Sequence, residues 1–194
     1  MTLLIAGLAL FLGAHTFTTL RQLRQSTIAR LGEGPYKGLY SLVSAAGLTM
    51  IVIGFGRYRA AGYIAVWDPP AWLHGVTLVL MWISFVSLAA AYCPLGRIKS
   101  SLRHPMLVGI KAWALAHLLV NGDLGSIVLF GAFLAWAVYD RIAVKRRDDD
   151  EATPARVVMP SSATRGDAIA IFVGSAAYAA MWWLHPIAFG VPIG

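Results

Sequence analysis

Residues 71–92 read AWLHGVTLVLMWISFVSLAAAY, twenty-two positions without one aspartate, glutamate, lysine or arginine. A bilayer's hydrocarbon core is about 30 Å thick and a helix rises about 1.5 Å per residue, so about 20 mainly apolar residues span it. This stretch therefore reads as a transmembrane helix, and five more runs resemble it: Leu3–Leu20, Leu39–Phe55, Met106–Asn121, Leu124–Val144 and Ala168–Leu184. The expectation is an all-α, polytopic transmembrane helix bundle of about six spans, forming a single domain over residues 1–194 with the lipid bilayer as its main partner.

The breaks between the runs carry turn chemistry. Gly32-Glu33-Gly34-Pro35 separates the first two, Asp68-Pro69-Pro70 precedes the third, and Arg103-His104-Pro105 opens the fourth with proline at a first helical turn. Asn121-Gly122-Asp123 reads as a tight turn that makes the fourth and fifth helices antiparallel neighbours. Residues 145–165 join Lys145-Arg146-Arg147 to an acidic run and then to Pro154, Pro160 and serines, and read as a solvated inner loop.

Composition agrees. The chain has 194 residues, of which 58% are hydrophobic and 13% charged, against about 25% charged in soluble domains. The mean hydropathy is +0.68. The lone Cys93 excludes an intramolecular disulfide and cysteine-rich zinc or iron–sulfur sites within one chain; a structural thiol is its plain reading. In a soluble protein the net charge of +7 would suggest nucleic acid. Here the charge reports topology and no nucleic-acid partner is expected. Thirteen of the sixteen lysines and arginines fall after the first, third and fifth spans, Arg57 and Arg59 fall on the other side, and Lys111 lies within a span. By the positive-inside tendency both termini lie outside, and in a bacterium the basic loops face the cytoplasm, making this a multi-pass inner-membrane protein. Thr2–Leu20 lacks a basic leader and is interrupted by His15, so it reads as a retained helix.

An ionisable residue inside a span is costly and asks for a reason. His15 and His117 are the most interior of the five histidines. Neutral imidazole is a good ligand for haem iron, and two histidines on different helices can hold one haem. Gly13, Ala14 and Ala114 would let a flat macrocycle approach, Trp113 could stack on a ring, and Arg103 or Lys111 could neutralise carboxylates of a cofactor. The plainer reading is a histidine bonded to a carbonyl of its bundle. His74 and His185 stand near span ends and read as interfacial, as do Trp67, Trp72, Trp182 and Trp183. His15 lies near the inner end of its helix and His117 near the outer end of its own, an offset on the order of 10 Å. That offset suits a haem lying flat, whereas an upright one would pair His74 with His117. Asp140 and Arg141 read as boundary charges, and no Walker loop, HExxH or GxSxG occurs.

RHPMLVG at residues 103–109, followed by WALAHLLVNGD at 113–123, resembles the NnrU family of bacterial membrane proteins, as do the Ala14-His15 helix and the six-span layout. That resemblance implies a role in nitrite and nitric oxide metabolism during denitrification. It also implies kinship with the plastid zeta-carotene isomerase, a haem b membrane enzyme that isomerises a cis double bond of a polyene. On that reading haem b is the cofactor, His15 and His117 are its axial ligands, His74 is a supporting candidate, and nitric oxide or an isoprenoid is the ligand. Ala114 stands where the isomerase pattern carries a cysteine, three residues before the fourth-helix histidine.

Two rivals come from other classes. Arg103-His104-Pro105 with Gly109 also resembles the isoprenylcysteine methyltransferases, which use S-adenosylmethionine; cofactor binding lost on changing His104 would mark that reading. A non-catalytic assembly or regulatory subunit would carry no cofactor and would co-purify with a partner. Gly47, Gly54 and Gly56 could pack helices within one chain or between two copies. The charge asymmetry itself is testable: a reporter active only outside the cytoplasm should work when inserted at Gly122 and fail after Arg147.

Overall fold

The computed structural model describes residues 1–150, 164–191 and 193, with side chains for all of these except 147–150. The described residues are helical, apart from loops and one isolated antiparallel bridge between Ala65 and Asp123. The helices are α1 (Thr2–Thr19), α2 (Arg21–Leu31), α3 (Glu33–Ala60), α4 (Leu73–Tyr92), α5 (Arg97–Leu102), α6 (Pro105–Val120), α7 (Leu124–Asp150) and α8 (Arg165–Phe189). Five of them are long and apolar enough to cross a membrane: α1, α3, α4, α7 and α8. The sixth expected run is α6, whose 16 residues reach only about 24 Å. Large apolar side chains point outward, with Leu42 71%, Phe172 76% and Ile187 82% exposed, as lipid-facing residues do.

The chain divides into two compact units, Met1–Asp68 with Gly122–Arg147, and Pro69–Asn121 with the segment that carries α8. In the first, α1 packs on α3 through glycine. A Cβ on Gly7 would lie 2.7 Å from the Ile51 nitrogen, and one on Gly47 would lie 2.8 Å from the Phe11 nitrogen. Hydrocarbon gives helices no hydrophobic reason to associate, so close backbone approach takes over that role. At one end of this unit, Val66 N–H donates to the Gly122 carbonyl at 2.8 Å and Leu124 N–H to the Ile64 carbonyl at 2.9 Å. Asp123 accepts from Ser126 N–H at 3.0 Å and caps the first turn of α7.

Several sequence expectations need correction here. Gly32-Glu33-Gly34-Pro35 is not a break throughout. Only Gly32, at φ 84°, interrupts the chain, and Pro35 sits in the first turn of α3, where backbone N–H groups have no intrahelical acceptor anyway. The segment before it is a helix of its own, α2, with Arg21, Arg24 and Arg30 and no buried residue. Residues 145–150, expected as loop, continue α7; the rest of that expected loop up to residue 163 lies outside the described residues. Asn121-Gly122-Asp123, expected as a turn, joins α6 to α7 where the two compact units meet in sequence.

In the second unit α4 is central, with α6 and α8 each packed on it. Ser84 Oγ donates to the Gly109 carbonyl at 2.8 Å, Thr77 Oγ1 to the Ala116 carbonyl at 3.1 Å, and Trp82 Nε1 to Ser175 Oγ at 2.9 Å. A Cβ on Gly174 would lie 2.6 Å from Val86 Cα, which shows how closely α8 approaches α4. The other end of this unit is tied by Asp167. Its buried carboxylate accepts from the backbone N–H of Arg97 (3.0 Å), Ile98 (2.8 Å) and Thr164 (2.8 Å) and from Thr164 Oγ1 (3.1 Å). Lys99 Nζ donates to the carbonyls of Ala91 at 2.9 Å and Cys93 at 2.8 Å and so closes the end of α4. The unit thus holds its helices by named polar bonds at both levels.

Gly47→Ala puts a methyl group against the α1 backbone. It should cost about 1–3 kcal/mol, read as a lower unfolding midpoint of the detergent-solubilised protein. A substitution at Gly56, where a Cβ meets nothing within 4 Å, should leave the midpoint unchanged.

Candidate functional site

α6 turns Pro105, Leu107, Gly109, Ala112, Ala114 and Ala116 inward. Small residues dominate that face and let α6 lie close to α4. His117 follows at the end of the helix and is half-buried. Its Nδ1 lies 2.8 Å from the Trp113 carbonyl. A carbonyl oxygen only accepts, so Nδ1 carries the proton. The Trp113 ring stands 5.3 Å from the His117 ring, and Asn121 Nδ2 donates to the His117 carbonyl at 2.7 Å, closing the last turn.

The nearest imidazole the structure sets beside His117 within this unit is one the sequence reading treated as interfacial. The His185 ring centroid lies 6.5 Å from that of His117, with 31° between the planes. His185 Nδ1 is 2.7 Å from the Val191 carbonyl, which the chain brings back through Gly190 at φ 68°. A signal for His185 was present in the sequence: Tyr178, Trp182, His185 and Phe189 follow i, i+4, i+7 and i+11 spacing and share one helix face. That face meets α4, where Phe85 and Tyr178 lie 6.0 Å apart.

The other expected residues are distributed as follows. His74 opens α4 and is exposed, with Nδ1 3.2 Å from the Ala71 carbonyl. Lys111 is half-buried on α6, and Arg103 is exposed between α5 and α6. His15 belongs to the first unit. Its Nδ1 lies 2.7 Å from the Phe11 carbonyl, and its ring is flanked by Phe11 at 4.2 Å, Tyr40 at 5.5 Å and Trp136 at 5.7 Å. Nearby elements of the same unit bury Tyr36 Oη, Ser44 Oγ, Trp136 Nε1 and Arg141 Nη1 without a hydrogen-bond partner. The first unit also has an apolar groove of about 570 Å³ between α1 and α7, lined by Leu8, Leu12, Gly13, Val128, Ala132 and Trp136 among others. Among the described residues no three His, Cys, Asp or Glu side chains are placed to hold a metal ion.

The family model described as NnrU protein matches residues 3–193. The chain belongs to the NnrU family. No curated protein and no solved structure matches it. Family membership and the apolar helices together make it a multi-pass membrane protein.

Arg103-His104-Pro105, the other motif of the sequence, receives a structural account in this NnrU-family chain. Arg103 adopts φ 57°, unusual for a residue with a Cβ; His104 is the N-cap of α6 and Pro105 its first residue. Arg103→Gly should relieve about 1 kcal/mol of backbone strain and raise the unfolding midpoint in detergent.

Proposed function

We propose that this NnrU-family protein binds haem b within the membrane and serves nitrite or nitric oxide metabolism. The observation that carries this reading is the state of His117. It is a half-buried imidazole at the end of an apolar helix, and its ring is oriented by the bond of Nδ1 to the Trp113 carbonyl, as the rings of metal-ligating histidines are. The family resemblance gives the same role to His15, whose Nδ1 is held in the same way by the carbonyl four residues earlier. Lys111 and Arg103 are the basic side chains of the second unit's α5–α6 segment that suit a cofactor's carboxylates. Trp113 supports the His117 ring and restricts its rotation.

When bound, haem supplies reversible one-electron exchange and affinity for nitric oxide. The chain's own residues orient the imidazole, fix its tautomer and keep the surroundings apolar. The polyene-isomerase reading of the same family draws support from the apolar groove of the first unit, whose lining has the chemistry of an isoprenoid chain. The methyltransferase reading rests on residues that the fold employs as a turn.

The test is the absorption spectrum of the detergent-purified protein, oxidised and then reduced with dithionite. A sharp Soret band with resolved α and β bands on reduction is expected, and His117→Ala should lose them while the protein stays in the membrane fraction. A featureless spectrum after expression with ample haem would overturn the reading.

A further inference from the structure

The groove of the first unit runs along α1 and α7. Phe11 meets Phe133 at 5.8 Å and His15 meets Trp136 at 5.7 Å, so the two helices run parallel. The groove thus has two ends. Ile5 and Val128 line one, and Thr16, Trp136 and Tyr139 line the other. Ile5 and Thr16 are eleven residues apart, as are Val128 and Tyr139, which makes the groove about 16 Å long. One leaflet offers about 15 Å of hydrocarbon, half of a bilayer's apolar core. The groove therefore has the depth of one acyl chain and is too short for an extended molecule that crosses both leaflets.

Its ends differ in chemistry. Leu8, Leu12 and Ala132 keep the middle apolar, while the far end has the hydroxyls of Thr16 and Tyr139 beside an indole. Tryptophan and tyrosine settle at headgroup level. Beyond that end the unit is basic. Arg21 and Arg24 are exposed in the first turn of α2, and Arg141, Lys145 and Arg146 follow Tyr139 on α7. Among the described residues there, Glu33 is paired with Lys37 at 2.7 Å, and the other carboxylate is Asp140. At the opposite end of the unit Arg57 and Arg59 are matched in number by Asp68 and Asp123. Gly13 also lines the groove, and a Cβ there would meet nothing within 4 Å. The protein's own packing leaves that space unused, in contrast to Gly7 on the same helix.

We propose that this groove holds one acyl chain of an anionic phospholipid from the leaflet on the basic side, with its phosphate near Arg21 and Arg24. The proposal goes beyond the haem reading and does not depend on it. An acyl chain accounts for the groove's length and apolar middle. The ester and glycerol oxygens of the lipid suit the hydroxyls at the polar end, and a negative headgroup suits the excess of arginine and lysine beyond it.

The full-length protein in mild detergent is titrated separately with dioleoyl phosphatidylglycerol and dioleoyl phosphatidylcholine, and bound lipid is counted by native mass spectrometry. Wild type should retain one phosphatidylglycerol per chain and bind it about 10-fold more tightly than phosphatidylcholine. Gly13→Leu fills the groove where the fold has room, and should lose that lipid without lowering the unfolding midpoint. Arg21→Gln combined with Arg24→Gln should reduce phosphatidylglycerol to the affinity of phosphatidylcholine. Equal affinity for the two lipids in wild type overturns the anionic assignment, and a preference that survives both Gln substitutions overturns the headgroup placement. Undiminished retention by Gly13→Leu means lipid spread over the whole apolar belt and overturns the proposal. Gly13-dependent binding of β-carotene without such binding of phosphatidylglycerol gives the groove to a polyene and overturns it as well.

Discussion

Helices in hydrocarbon gain nothing by hiding apolar surface from one another, so close contact and polar bonds must hold this protein together. Both are concentrated on a few residues. In the first unit Gly7 and Gly47 let the α1 and α3 backbones approach to distances that no side chain would permit. In the second, Ser84 and Thr77 reach across to carbonyls of α6, and Trp82 reaches Ser175 on α8. Each such bond fixes register as well as association, because a slip of one residue would bury an unmatched hydroxyl or indole. The tie through Asp167 completes the second unit, placing four donors on one buried carboxylate where α5 and α8 begin.

Register also decides where the histidines of the second unit stand. A histidine near a span end is ordinarily free to reach the interface, and its ring position says little. His185 is different, because the stripe that carries it continues through Tyr178, which meets Phe85 of α4. His117 is similarly committed, because the carbonyl beside it, that of Ala116, accepts from Thr77. The imidazoles therefore inherit positions decided elsewhere along their helices. His15 occupies another kind of environment, flanked by three aromatic rings in a unit that also buries several unpartnered polar atoms.

The spans were legible because an uninterrupted apolar stretch of bilayer length, such as residues 71–92, has one stable form in lipid. The short polar helices were not. α2 and α5 have no apolar run to announce them, and α5 is only six residues held by a distant carboxylate, Asp167, that belongs to α8. Family kinship was readable from the fourth-helix motif, since residues 103–123 combine several uncommon features in a fixed order. His185 is obscure in the sequence because its position near a span end matches that of an interfacial residue. Its seven-residue distance from Tyr178 puts it on the same helix face as the residue that meets Phe85.

The spacing between His117 and His185 is a property of α4 more than of either histidine. Gly109 on α6 and Gly174 on α8 set how near each flanking helix comes to α4, for a Cβ at either would have to displace Leu88 or the Val86 backbone. Gly109 lies eight residues before His117, about 12 Å along the helix. Gly174 lies eleven before His185, about 16 Å. Side-chain atoms positioned by rigid helices and distant contacts are ordered in advance, whereas atoms positioned by a loop would have to be ordered first. The end of α6 is itself fixed by a side chain. It ends at Asn121, whose side chain returns to the His117 carbonyl, so the imidazole sits on a closed final turn and not on a frayed one.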